Sequence, residues 1–157
     1  MVTLVLLLVC SGAYADDVAA KREAIRGMLK TVTIRLMGAI VGYCRSEDPA
    51  SAGAIGRGYE NYRAVMEKAV DESVDEIPES RLDTIITLNK SADISEKLDS
   101  VAEMMVGALR TQDASKYCPR IAGQLARYSL ADAEQDIRKG RDLIEAARAR
   151  SGGTQSP

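Results

Sequence analysis

The side chains with the most to offer chemically are the cysteines Cys10, Cys44 and Cys118, a set of tyrosines, and a run of carboxylates. A thiol acts as nucleophile or metal ligand through its thiolate, which usually needs a basic neighbour such as histidine, and the chain has no histidine. The same absence removes a Ser-His-Asp triad, a haem-attachment Cys-x-x-Cys-His and the Glu-x-x-His di-metal site of helical bundles. No Ser-x-x-Lys occurs either, so that route to an activated serine is closed. Gly53, Gly56 and Gly58 are spaced loosely like a phosphate loop. No strand precedes them and no Lys-Ser/Thr follows, so they are predicted to serve close helix packing. Carboxylate pairs can act as acid and base in a cleft, yet the sequence marks no pair above the others. The expectation is a protein that is not an enzyme, with no cofactor and no metal.

Two clusters survive that census. Tyr43, Tyr59, Tyr62, Tyr117 and Tyr128, with Arg45 and Arg57, are residue types that anchor interfaces, and they gather near the cysteines. They are predicted either to fill a wide layer of the core, each hydroxyl reaching water or backbone, or to form a partner or ligand patch. Asp71, Glu72, Asp75, Glu76 and Glu79 form an acidic patch whose spacing matches no calcium loop. Carboxylates at a helix C-terminus oppose the macrodipole and repel one another, so cations must offset them. Arg138, Lys139, Arg141 and Arg148, with Lys21, Arg22 and Arg26, are the predicted source.

The compartment follows from the N-terminus. Val2 to Val9 is almost wholly apolar, and Ala13-Tyr14-Ala15 supplies small residues at alternate positions, so residues 1–15 read as a signal peptide cleaved before Asp16. No Lys or Arg precedes the run. It is too short for a membrane span, which takes about 20 apolar residues. Lipid attachment at Cys10 is disfavoured, because Val9 stands where such signals carry a small residue. A periplasmic or secreted location is oxidising, so Cys44 and Cys118 are predicted to pair. That bond closes a loop of about 75 residues, worth roughly 4 kcal/mol in the chain-entropy account. With a net charge of −2 and no clustered basic face, a nucleic-acid partner is not expected.

The elements that position these residues are helices. Phe, Trp and His are absent, Ala, Leu, Ile, Glu and Arg dominate, and strand-like alternation is hard to find. A first helix is predicted from about Asp17 to Cys44, with Val18, Ile25, Leu29, Val32 and Leu36 recurring at threes and fours. Asp48-Pro49 reads as the start of a second, which Pro78 stops. Residues 79–89 are a short helix or connector, and Asp93 with Glu96 is a capping-box start for the next. Cys118-Pro119 is predicted to open the last helix, with a possible restart at Ser129 and Asp132. Residues 16–150 then make one helical domain, followed by a disordered tail at 151–157. A Cys44–Cys118 bond between two corners fits an all-α, antiparallel up-down four-helix bundle with an extra short helix or connector between helices 2 and 3.

The combination of leader, two cysteines and Ala/Arg/Glu-rich helices resembles the many small exported helical proteins of bacteria, a likeness of organisation that carries over no residue role. The functional expectation is contact with another protein of the cell envelope, as an accessory factor or as an inhibitor or immunity-type binder. The alternatives are a small-ligand carrier with a pocket between helices near the tyrosines, and a purely structural bundle.

Overall fold

A computed structural model describes the backbone of residues 2–91 and 94–152, and the side chains of 17–87, 97–140 and 142. All regular structure among the described residues is helical. In chain order the helices are α1 (Val2–Glu47), α2 (Ala52–Asp75), α3 (Glu79–Ser91), α4 (Ile94–Leu109), α5 (Ala114–Ala126) and α6 (Leu130–Gly152), with a short 3-10 turn at Pro49–Ser51 leading into α2. No helix among the described residues is long and apolar enough to cross a membrane.

Several boundaries differ from those predicted, each for a local reason. The helix expected from Asp17 starts at Val2, since the apolar leader is itself made of helix-competent residues and nothing in it breaks the ladder. The side chain of Cys10 and those around the Ala15–Asp16 junction lie outside the described residues. Asp48 does begin the next element, but through the 3-10 turn: its carboxylate accepts from the Ser51 hydroxyl (2.5 Å) and Pro49 takes the first helical position. α5 starts four residues before Cys118. Asp113 is its N-cap, accepting from the Ser115 backbone N–H (3.1 Å) and hydroxyl (2.7 Å), which hold its carboxyl below the usual range. Pro119 therefore sits inside the helix, where it denies the carbonyl four residues back its usual donor.

The predicted restart at Ser129 is real. Asp132 accepts from the Ser129 backbone N–H (2.9 Å) and hydroxyl (2.6 Å), closing a reciprocal cap that divides α5 from α6. The segment expected as helix or connector at 79–89 is helix α3. The Asp93–Glu96 capping box falls outside the described residues. α6 runs to Gly152, two residues into the predicted tail, and 153–157 also lie outside them.

α1 and α2 pack antiparallel, since Arg22, midway along α1, meets Val74 to Ile77 at the end of α2, while Tyr59, early in α2, meets Ile34 further along α1. α3 and α4 lie along α1: Lys21 reaches Asp83 (2.9 Å), Arg35 reaches Asp99 (2.6 Å), and the Tyr43 hydroxyl donates to the Leu109 carbonyl (3.2 Å). α5 and α6 cover α2. In a ring taken in chain order, the element after α2 would lie against α2. Here it lies against α1, because α5 occupies that side of α2.

Gly58 is what lets α5 in. A Cβ added there would stand 2.9 Å from the Ala122 carbonyl oxygen, 3.0 Å from the Leu125 Cβ and 3.2 Å from the Ala126 nitrogen. Two of those three atoms are backbone and cannot rotate away. The core is largely aliphatic along α2: Ile55, Val70 and Val74 of α2 are at most 1% exposed, as are Ile25 of α1 and Leu82 of α3. Each such medium-sized side chain contributes about 1.5–3 kcal/mol on burial.

Gly58→Ala is expected to destabilise the protein by about 1–3 kcal/mol through overpacking. Gly27→Ala, in an α1 position with nothing within 4 Å of the new methyl group, should instead stabilise by about 0.5–1 kcal/mol through helix propensity. Urea unfolding of the two variants measures both; equal effects would show that the α2–α5 approach is not tight.

Candidate functional site

Cys44 and Cys118 are bonded, with Sγ–Sγ 2.11 Å and Cα–Cα 5.5 Å, and both are fully buried. The bond joins the last turn but one of α1 to the middle of α5. Enclosed in this way, the sulfurs act as a staple and not as an exposed redox pair.

The tyrosines gather on this half of the molecule, and most are used inward. Tyr43 is 9% exposed and its hydroxyl caps the α4 carbonyl of Leu109. Tyr59 is half-buried and donates to the Ile34 carbonyl of α1 (3.0 Å). Tyr62 is 6% exposed, its ring stacked on Tyr59 at 6.5 Å and tilted against Tyr128 at 4.9 Å. Tyr128 donates to the Asp136 carboxylate (2.8 Å), joining the α5–α6 corner to α6. Tyr117 is half-buried with the Arg120 guanidinium 5.5 Å over its ring, a cation–π contact.

The phenols are shifted accordingly. Burial, helped by the nearby Asp136 charge, pushes Tyr62 up to about 12. Burial and the hydrogen bond to Asp136 carry Tyr128 further in the same direction. Burial also raises Tyr59 and Tyr117.

The arginines of the predicted patch behave differently from the tyrosines. Arg45 and Arg57 are exposed. The Arg45 guanidinium lies over α2, 3.0 Å from where a Gly56 Cβ would be, and Arg57 folds back to within 3.7 Å of the equivalent point on Gly53. The glycines spaced loosely like a phosphate loop thus receive two guanidinium groups and, at Gly58, a neighbouring helix. Neither arginine has an ion-pair partner among the described residues.

At the opposite end the acidic patch is offset by α1. Asp71 pairs with Lys30 (2.8 Å) and with Arg26 (3.5 Å), Asp75 pairs with Arg26, and Glu72 reaches Lys68 at 3.9 Å. Glu76 and Glu79 are exposed. The contribution expected from α6 is not seen at the described positions, where Lys139 pairs with Asp136 (3.8 Å) and Arg138 is exposed. Arg141 and Arg148 have side chains outside the described residues. No group of acidic and cysteine side chains among the described residues is placed to hold a metal ion.

Two side chains matter more than the sequence suggested. Arg22 donates to the carbonyls of Val74, Asp75 (3.1 Å) and Ile77 (3.0 Å), closing the C-terminus of α2 with a positive charge where the dipole wants one. Asn61 of α2 donates to the carbonyls of Leu125 (2.9 Å) and Tyr128 (3.0 Å), doing the same for α5. The C-cap residues Glu76 and Arg127 have φ of −78° and −102°, so neither helix ends in the left-handed glycine turn that would close it locally. That missing glycine is the signal from which outside capping could have been read. Lys21 holds α3 on α1 through Asp17 (2.7 Å) and Asp83 (2.9 Å), and those hydrogen bonds raise its ammonium above the ordinary lysine range. Compared with known proteins, the chain matches no family model, no curated sequence and no solved structure.

Removing the clamp by Arg22→Met strands partly buried carbonyls, and urea unfolding should show a loss of about 1–3 kcal/mol. The tyrosines give a pH dependence. A phenol whose folded pKa is raised contributes its full stability below the unfolded value near 10 and loses it as pH climbs through the folded value. Thermal midpoints should therefore fall between about pH 10 and pH 12, and tyrosinate absorbance should appear together with loss of helical circular dichroism. Ionisation of Tyr62 and Tyr128 near pH 10 in the intact helical protein would show that they are open to solvent.

Proposed function

We propose that this chain is an exported, non-enzymatic helical protein that works by contact with another protein of the cell envelope, as an accessory factor or as an inhibitor or immunity-type binder. Export rests on the apolar Val2–Val9 run, the Ala13-Tyr14-Ala15 cleavage pattern and the Cys44–Cys118 bond. We read the fold as an up-down bundle of four long rods: α1, α2, a broken α3–α4 and a broken α5–α6.

The observation that carries the contact reading is the distribution of spent and unspent cations. Lys21, Arg22, Arg26 and Lys30 are all engaged within the fold. Arg45 and Arg57, beside the disulfide, are exposed and have no carboxylate within ion-pair distance among the described residues. A rigid, cross-linked end presenting two guanidinium groups fits a partner that brings carboxylates. The bonds of Tyr43 and Tyr59 to main-chain carbonyls favour this reading over a ligand-lined pocket.

The test is capture from periplasmic extract with the mature protein, starting at Asp16, as bait. A partner retained by wild type should be lost with Arg45→Ala/Arg57→Ala, while the melting temperature stays unchanged because neither side chain is bonded into the fold. Repeated capture of nothing by wild type would count against contact as the function.

A further inference from the structure

The apolar side chains left outside the core are not scattered. Val101 (39% exposed) and Met104 (69%) are the large hydrophobic residues standing exposed among the described residues, and both are on α4 one turn apart. Ser100, Gly107 and Ala108 are exposed on the same side, and a Cβ at Gly107 would meet nothing within 4 Å. The opposite side of α4, with Leu98 and Leu109 buried, is the one that packs on α1. α4 therefore has a second face, free of charge from Ser100 to Ala108, with an open approach. Scattered apolar residues on a surface are ordinary; a contiguous helix face is not.

The charges beside that face say what fits it. Taking Met104 as position a of a heptad, Ser100 and Gly107 occupy d, Val101 and Ala108 occupy e, and Glu103 and Arg110 occupy successive g positions. Arg110 keeps helical register, since its N–H donates to the Val106 carbonyl (3.1 Å). Glu103 and Arg110 are exposed and have no ion-pair partner among the described residues. When two helices pack antiparallel about a twofold axis, each g flank meets the g flank of its partner. An acid and a base seven residues apart on one flank then pair twice, and the axis falls beside Gly107, the point of least bulk. A parallel pair would not bring these flanks together. We propose that the outer face of α4 is a self-association surface on which a second copy of this chain docks its own α4 antiparallel, Glu103 of each copy opposite Arg110 of the other. This surface is distinct from Arg45 and Arg57 and does not depend on the reading above. A face of about three helical turns is small, so the association belongs to the weak, transient class.

Sedimentation equilibrium of the mature, disulfide-bonded chain reads it directly. Wild type should pass from monomer to dimer between micromolar and millimolar concentration. Met104→Glu should weaken the dimer by at least about ten-fold by placing a charge in the seam, with helical content and melting temperature unchanged because that side chain lies mostly in water. Glu103→Arg and Arg110→Glu should each weaken it by about ten-fold, and the double reversal should restore it. Wild type that stays monomeric into the millimolar range overturns the proposal. So does a dimer indifferent to Met104→Glu, or a double reversal no tighter than the single ones.

Discussion

The architecture depends on how closely α5 can approach α2. The chain has neither Phe nor Trp, and apart from Tyr43 and Tyr62 its buried core is made of Met and smaller side chains, so much of the packing density must come from bringing backbones together. Gly58 supplies the place, within contact distance of the Ala122 carbonyl. With α5 seated there, one side of α2 is taken, and α3 and α4 are left to cover α1. The Cys44–Cys118 bond fixes the same arrangement covalently from the α1 side, so that α1, α2 and α5 meet at one corner. The corner where α1, α2 and α5 meet thus rests on one missing methyl group and one covalent cross-link.

The helix ends show a second dependence of the parts on the whole. α2 and α5 finish without a local glycine cap, and side chains from neighbouring helices, Arg22 for α2 and Asn61 for α5, add to the local turn hydrogen bonds at their terminal carbonyls. Each of these side-chain bonds forms only when the helices are already docked. They add to specificity as much as to stability, since a misregistered packing would leave several acceptors unsatisfied at once. The same economy is at work at the acidic end, where α1 brings Arg26 and Lys30 to Asp71 and Asp75.

Much of this was legible in the sequence because it rests on short-range chemistry. The helical class, the Ser129–Asp132 cap and the helix start at Asp48-Pro49 come from residue type and spacing within a turn or two, and the cysteine pair from the two cysteines that remain after the leader. The start of α5 was misplaced because Cys118-Pro119 has the form of a first helical turn, and the Asp113-Ala114-Ser115 cap just upstream is the stronger device. Which helix lies beside which was not legible, because it is decided by contacts such as Gly58 to Ala122 that join residues far apart in sequence. The direction of Tyr43 and Tyr59 was not legible, because it depends on carbonyl partners on other helices, at Leu109 and Ile34. The outward stripe of α4 shows only when the buried one, with Leu98 and Leu109, has been assigned.

The tyrosine arrangement also decides what an optical probe of this protein can see. With no Trp and no Phe, the near-ultraviolet signal comes from tyrosine and from the Cys44–Cys118 bond, and no tyrosine lies between Tyr62 and Tyr117. The coupled rings Tyr59, Tyr62 and Tyr128 report on the docking of α2 with the α5–α6 corner. α3 and α4 are almost silent in that band, heard only through the Tyr43 hydroxyl at Leu109. Far-ultraviolet helicity weighs every helix. One signal thus views the tyrosine-bearing part of the molecule and the other all of it, and their coincidence or separation on heating distinguishes one cooperative unit from two.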